Sequence, residues 1–254
     1  MANNKHENYE VLNLIGYGLS KFDKSFVTTF GYRNKNEFYE NMVLYGVSET
    51  IGTIKNRQDL FDPFFDNSRK GWWQKGDTYI HRKYTIDILF GNLDVNSYVD
   101  MLKIYLVENF EFDFEIKTDI KPIIKSQFKQ LQKTGLEAET FFLNNYSKLK
   151  IFQNGIIEDC RLYGDGYDFQ IEVNNGFFLV EVKGVRLEKG SIRLTKNEYE
   201  RAQEYKNKFI LLVVSNLNNI PKISIVENPL NELDLTRVVI EQKQIAFNTN
   251  IIEW

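Results

Sequence analysis

The sequence predicts an α/β protein in the α+β sense. A mixed central sheet flanked by helices is expected over residues 121–254, after a mainly helical or mixed N-terminal domain over residues 1–120. Two observations carry this. The C-terminal half runs through helical and strand signals in the order helix, strand, hairpin, helix, strand, which describes a mixed sheet between helices. The chain of 254 residues is 43% hydrophobic and rich in Phe and Tyr, enough for a sizeable core and unlike a disordered chain.

The elements follow in order. Residues 9 to about 60 mix apolar positions with helical and loop signals. Within them "LIGYGLSK" holds Gly16-x-Gly18, which falls short of a dinucleotide fingerprint and reads as a tight turn. "DVNSYVDMLKIYLVENF" (94–110) reads as a helix with Val99, Leu102, Tyr105 and Leu106 on one face, and "FEFDFEIK" (110–117) alternates like a strand. Pro122 opens a helix on which Lys121, Lys125, Lys129 and Lys133 form a basic stripe, either a solvated face or a phosphate-contacting one. Gly135 marks a break, and Thr134 with Glu137 forms the capping box of the next helix. "KLKIFQN" (148–154) then reads as a strand, followed by a hairpin and a strand at "IRLT" (192–195). A helix starts at Thr195, capped with Glu198, and "KFILLVVSNL" (208–217) and "KISIVEN" (222–228) are further strands.

Composition removes several chemistries. One Cys and two His leave no Cys-rich zinc site, and neither His6 nor His81 has the setting of a nucleophilic triad. No phosphate-cradling GxxxxGK[ST] loop occurs. A net charge of −3 gives no global pull on nucleic acid, so any such binding rests on local patches. The lone Cys160, the lack of a long apolar run and an opening "MANNKHENYE" without a signal-peptide core lead to the expectation of a cytoplasmic protein with no membrane partner. What remains is carboxylate and lysine chemistry with a hard metal such as magnesium.

The hairpin "GDGYDFQIEVNNGFFLVEVKG" (164–184) is where that chemistry concentrates. A two-residue turn at Asn175-Gly176 pairs Val173 with Phe178, Ile171 with Val180 and Phe169 with Val182, an all-apolar face. The other face then pairs Glu172 with Leu179, Gln170 with Glu181 and Asp168 with Lys183. In this register Asp168 lies roughly 5 Å from Lys183 and roughly 7 Å, on the diagonal, from Glu181 between Cβ atoms. Two carboxylates so placed can share a divalent cation, and a lysine beside them can hold water or offset phosphate charge. Two other spacings, Asp100 with Glu115-Ile116-Lys117 and Asp234 with Glu241-Gln242-Lys243, lack a strand partner or the length for a turn.

Asp168 followed by Glu181-Val182-Lys183 resembles the signature of the PD-(D/E)XK, restriction-endonuclease-like nuclease superfamily. More narrowly, residues 134–229 resemble the NO VEIN C-terminal-like domain through "TGLEAETFF", "GDGYDFQIEV", "FFLVEVKGV", "IRLTKNEYERAQEYKNKFILLVVSN" and Asn228-Pro229. The superfamily's usual proline before the first acid is Tyr167 here. The resemblance implies a mixed sheet between helices, with the first acid and the ExK on adjacent strands. It implies Asp168 and Glu181 as metal ligands, the Val182 carbonyl as an extra ligand, Lys183 as the catalytic lysine and, by position, Glu139 from the preceding helix. Mg²⁺ is the implied cofactor, with Mn²⁺ able to substitute. The implied activity is DNA endonuclease, of restriction or phage-defence type.

Double-stranded DNA is the expected partner, and cutting two strands makes a homodimer a natural expectation. The N-terminus of the helix after Thr195, with Lys196 and Asn197, suits a phosphate, and Arg186 and Arg193 lie on the way to it. In "NSRKGWWQKGDTYIHRKYTI" (67–86), Arg69, Lys70, Arg82 and Lys83 interleave with Trp72 and Trp73, as stacking plus phosphate contact requires; a buried Trp pair beneath a basic hairpin is the duller alternative. Residues 1–120 would then supply target recognition. The competing reading of the whole is a catalytically inactive nuclease fold kept as a DNA-binding or partner-docking module.

Overall fold

The computed structural model describes residues 8–114, 122–131, 133–174 and 176–239. Five α-helices fill the N-terminal region: α1 (Tyr9–Phe30), α2 (Lys35–Leu44), α3 (Ile51–Phe61), α4 (Ile80–Phe90) and α5 (Val95–Asn109). Their starts follow local chemistry. The side chains of Asn34, Thr50 and Asp94 accept backbone N–H bonds at the starts of α2, α3 and α5. Gly31 ends α1 in the left-handed region, at φ 101°. The apolar faces meet in one aromatic core that includes Tyr17, Phe26, Phe38, Phe61, Phe90 and Tyr98.

Several expectations for this region are corrected. Gly16 and Gly18 form no turn; they lie inside α1. A Cβ on Gly16 would stand 2.7 Å from the Arg57 carbonyl oxygen, and one on Gly18 would stand 2.3 Å from the Phe26 ring. The spacing serves close helix packing. Residues 110–114 form no strand, and 115–117 lie outside the described residues. The segment before α4 is a short 3₁₀ stretch, Trp73–Tyr79, with no hairpin.

Helix α6 (Pro122–Leu131) packs Phe128 against Phe90 and Tyr105 of the helical core. Then α7 (Thr134–Leu143) leads to the sheet: β1 (Ile156–Asp159), β2 (Phe169–Val173), β3 (Gly176–Gly184), α8 (Lys196–Tyr205), β4 (Phe209–Ser215), β5 (Lys222–Glu227) and the short α9 (Pro229–Glu232). The strands lie in the order β1-β2-β3-β4-β5. Only β3 and β4 are parallel, joined across α8; the other pairs are antiparallel. This is the mixed sheet flanked by helices that the element order predicts. Residues 148–154 supply 3₁₀ turns instead of a strand, and the first strand comes from 156–159. Residues 192–195 form no strand, because the chain there crosses from β3 to the start of α8.

Strand alternation sorts the two faces. Phe169, Ile171, Val180, Val182, Ile210, Leu212 and Val214 pack under Ala138 and Phe142 of α7. Leu179 and Phe209 face the other way, against Ala202 of α8. Helix α7 lies close on β3: a Cβ at Gly184 would meet the Thr134 carbonyl oxygen at 2.6 Å. The helical region is bolted to this half through polar groups. Tyr9 Oη donates to Glu137 Oε1 at 2.7 Å, and the Tyr9 ring is surrounded by the guanidinium groups of Arg57, Arg82 and Arg186 at 5.3, 5.2 and 4.8 Å. Arg186 also binds Glu137 and Glu10, and Arg82 donates to the carbonyls of Leu217 and Asn219 at 3.3 and 3.1 Å. So Glu137 is not a capping partner of Thr134; its buried carboxylate is the centre of this bolt, and the start of α7 has no side-chain cap.

Ala is the better helix former by about 1 kcal/mol, but a methyl at Gly16 must displace backbone, and overpacking costs about 1–3 kcal/mol. Gly16→Ala is therefore expected to lower the melting temperature. Thermal unfolding checks this, and an unchanged or raised value would contradict the close packing of α1 on α3.

Candidate active site

The hairpin forms with its faces as the sequence sorts them, but in a different register. Val173 pairs with Gly176, Glu172 with Phe177, Ile171 with Phe178, Gln170 with Leu179 and Phe169 with Val180. Each partner on β3 stands two residues earlier than the Asn-Gly turn suggests. A shift of two keeps every side chain on its face, so the apolar sorting could not separate the two registers. Asp168 therefore does not stand opposite Lys183. It lies level with Val180 to Val182, and Glu181 lies between those two.

Asp168 is fixed from three directions. Its carbonyl accepts from Cys160 N at 2.8 Å, and its N–H donates to the Val180 carbonyl at 2.9 Å. Its Oδ2 accepts the N–H of Val182 at 2.8 Å, so a side chain takes over where the β2–β3 ladder stops. Glu181 is buried on the α8 face of the central strand. Lys183, two residues on, donates to Glu181 Oε1 at 2.5 Å and to Glu198 Oε2 at 2.8 Å. Glu198 stands in the first turn of α8, where Thr195 and Glu198 form the expected capping box. Sequence reading assigned Glu198 to that cap alone and missed its bond to the lysine.

Glu139, on α7, has its Oε2 bound by Arg161 at 2.8 Å, and its negative charge helps to raise the pKa of Asp168. Arg161, which sequence reading did not single out, also binds Asp159 and lies over the Phe169 ring at 5.2 Å. The structure thus gathers Asp168, Glu181, Lys183 and Glu139 in one region and adds Glu198 and Arg161.

The electrostatics record the crowding. Burial, together with the charges of Glu139 and Glu198, raises the Asp168 carboxyl to about 6, against its Val182 hydrogen bond and the Lys183 charge. Burial and the Asp168 charge push Glu181 up to about 8. Burial works against the charge on Lys183, but Glu181 and Glu198 outweigh it and its pKa is raised. Two hard oxygen donors that repel one another suit a divalent cation, whose charge offsets the repulsion. Among the described residues no three His, Cys, Asp or Glu side chains gather closely enough for a metal ion. A cation here would draw on Asp168, Glu181 and a backbone carbonyl.

The basic residues divide sharply. Lys196, Asn197 and Arg193 are exposed at or before the start of α8, and Lys196 makes a long pair with Glu200, at 3.6 Å. Lys70 is exposed, as is Trp73 at 65%. Four other residues of the expected contact set hold partners within the protein. Arg186 and Arg82 belong to the bolt around Tyr9, Arg69 binds Asp59 and Asp62, and Lys83 binds Asp87. Trp72 is half-buried beside Tyr79. On the basic stripe, Lys129 and Lys133 are exposed; Lys121 and the side chain of Lys125 lie outside the described residues. A cavity of about 390 Å³ lies elsewhere, lined among others by His81, Tyr84, Phe141 and Lys148, and none of its lining is a predicted site residue.

The family model described as "Protein NO VEIN, C-terminal" matches residues 138–226. This stretch is similar to a PD-(D/E)XK-like nuclease-type domain. The match spans Glu139, Asp168, Glu181, Lys183 and Glu198 and leaves the N-terminal helices outside it. No curated protein and no solved structure matches the chain. Among the described residues no helix is long and apolar enough to cross a membrane.

The raised carboxyls give a signed pH dependence. A group whose folded pKa is raised contributes stability that is complete below its unfolded pKa and is lost as pH rises through the folded value. For Asp168 and Glu181 that window runs from about 4 to about 8. Metal-free protein should lose melting temperature across it, and Glu181→Gln should flatten the decline and melt above the wild type at pH 8.5. Equal slopes for the two proteins would contradict the repulsion.

Proposed function

We propose that this chain is a Mg²⁺-dependent DNA endonuclease that hydrolyses phosphodiester bonds, of restriction or phage-defence type. The observation that carries the reading is the meeting of Asp168, just before β2, with Glu181 and Lys183 on the neighbouring β3, with both carboxyl pKa values raised. The nuclease-type family match over the same residues supports it.

In this reading Asp168 and Glu181 hold the ion with the Val182 carbonyl, and Mn²⁺ substitutes for Mg²⁺. An ion held there would lower the pKa of water and offset charge on the phosphate. Lys183 supplies a fixed cation beside the two acids, where it orients the attacking water or stabilises the anionic oxygens of the transition state. Glu139 completes the acidic wall and is itself held in place by Arg161. The exposed Lys196, Asn197 and Arg193 border the site through α8 and take the phosphate backbone; Lys70 and Trp73 extend contact from the helical region. The substrate is double-stranded DNA, cut by a homodimer, in the cytoplasm.

A non-catalytic DNA-binding or partner-docking module on the same fold has one observation in its favour: Lys183 is already bound by two carboxylates. The test is cleavage of unmodified plasmid and of modified phage DNA with Mg²⁺ or with EDTA. Metal-dependent cutting that falls by more than about 100-fold in Asp168→Ala is expected. No cutting of either DNA, with DNA affinity intact in the Asp168→Ala, Glu181→Ala double variant, would leave the binding module as the function.

A further inference from the structure

The carboxylate of Glu198 does two things with one oxygen. Its Oε2 accepts the Thr195 backbone N–H at 2.9 Å and Lys183 Nζ at 2.8 Å. The first bond closes the capping box of α8; the second reaches across to the central strand. A lysine ammonium is a point charge on a flexible four-carbon stem with three N–H donors. One acceptor would leave that stem several rotamers. Two acceptors on different elements, Glu181 on β3 and Glu198 on α8, fix the nitrogen, and the tetrahedral geometry then sets the direction of the third N–H. The Glu198 side chain is only 13% exposed and that of Lys183 20%, so water competes weakly for these bonds.

We propose that Glu198 is a positioning residue for Lys183. It ties the lysine to the helix N-terminus that borders the site, so that the third N–H is aimed where the water or the phosphoryl oxygen is handled. This deepens the nuclease reading and rests on it. The capping box alone does not require it, since the Thr195 N–H would be satisfied by a carboxylate that never reached Lys183.

Three variants separate the two jobs. Thr195→Ala removes the other half of the cap and leaves the Glu198–Lys183 bond. It should lower the melting temperature and leave the single-turnover cleavage rate unchanged below that temperature. Glu198→Ala should lower the rate by about 10- to 100-fold with DNA affinity unchanged, the usual loss when a partner of a site residue is removed. Glu198→Gln keeps a cap-competent side chain and an amide oxygen, and should fall between Glu198→Ala and the wild type. Equal rates for Glu198→Ala and wild type would overturn the proposal. So would equal rate losses in Glu198→Ala and Thr195→Ala, which would make Glu198 a cap only. A second readout works without turnover: in ¹⁵N-lysine-labelled protein, the Lys183 ammonium should give a slowly exchanging signal that survives Thr195→Ala and disappears in Glu198→Ala. Loss of that signal in both variants would overturn the proposal. A wild type that does not cut, yet shows this pattern of signals, would overturn the nuclease reading and leave the positioning intact.

Discussion

Negative charge gathered around one lysine is the constraint on which the C-terminal half is built. Asp168 just before β2, Glu181 on β3 and Glu198 on α8 act on Lys183, and Glu139 on α7 acts on Asp168. Burying like charges together is unfavourable unless something compensates. Here the compensation is local: a backbone N–H for Asp168, the ammonium for Glu181 and Glu198, a guanidinium for Glu139. It is incomplete, because both central carboxyls still titrate above the ordinary carboxylate range. A fold that needed only an ion pair there would keep one acid and one lysine. Under the proposed function, a divalent cation would offset this surplus of acid.

Helix α7 carries this constraint to the helical region. Glu137 and Glu139 are two residues apart and so face different directions on the helix. Glu137 is drawn to Tyr9 and Arg186; Glu139 is drawn toward Arg161 and the Asp168 charge. One helix thus anchors the N-terminal bundle and supplies an acid to the candidate site. The tight seat of α7 on Gly184 keeps both sides in register. Arg186, one residue beyond the Val185 that follows β3, reinforces the same junction from the sheet side.

Much of this was legible in the sequence where a short-range rule decides. The period-2 alternation of 168–183 gave the buried and polar faces, and the Thr195–Glu198 spacing gave the start of α8. The hairpin register was not legible, because a two-residue shift conserves faces and "NNG" offers two places to turn. The glycines of α1 looked like a turn because the Arg57 backbone and the Phe26 ring that require them are remote in sequence. The same limit applies to charges. Arg82 and Arg186 look like surface cations beside aromatic and polar neighbours, and only the fold brings Tyr9 and Glu137 to them. Glu198 stayed hidden for the opposite reason: the local cap already explained it.

The central claim is that Asp168 and Glu181 form one cation site. Calorimetric titration of Mg²⁺ or Mn²⁺ at pH 7, in buffers of different ionisation enthalpy, tests it most directly. With one carboxyl at about 6 and the other at about 8, the pair holds about one proton at that pH, and a cation must displace it. The account predicts binding with release of about one proton per ion in the wild type, and neither binding nor release in Asp168→Ala. Binding that is unchanged in Asp168→Ala, or no binding by the wild type, would contradict it.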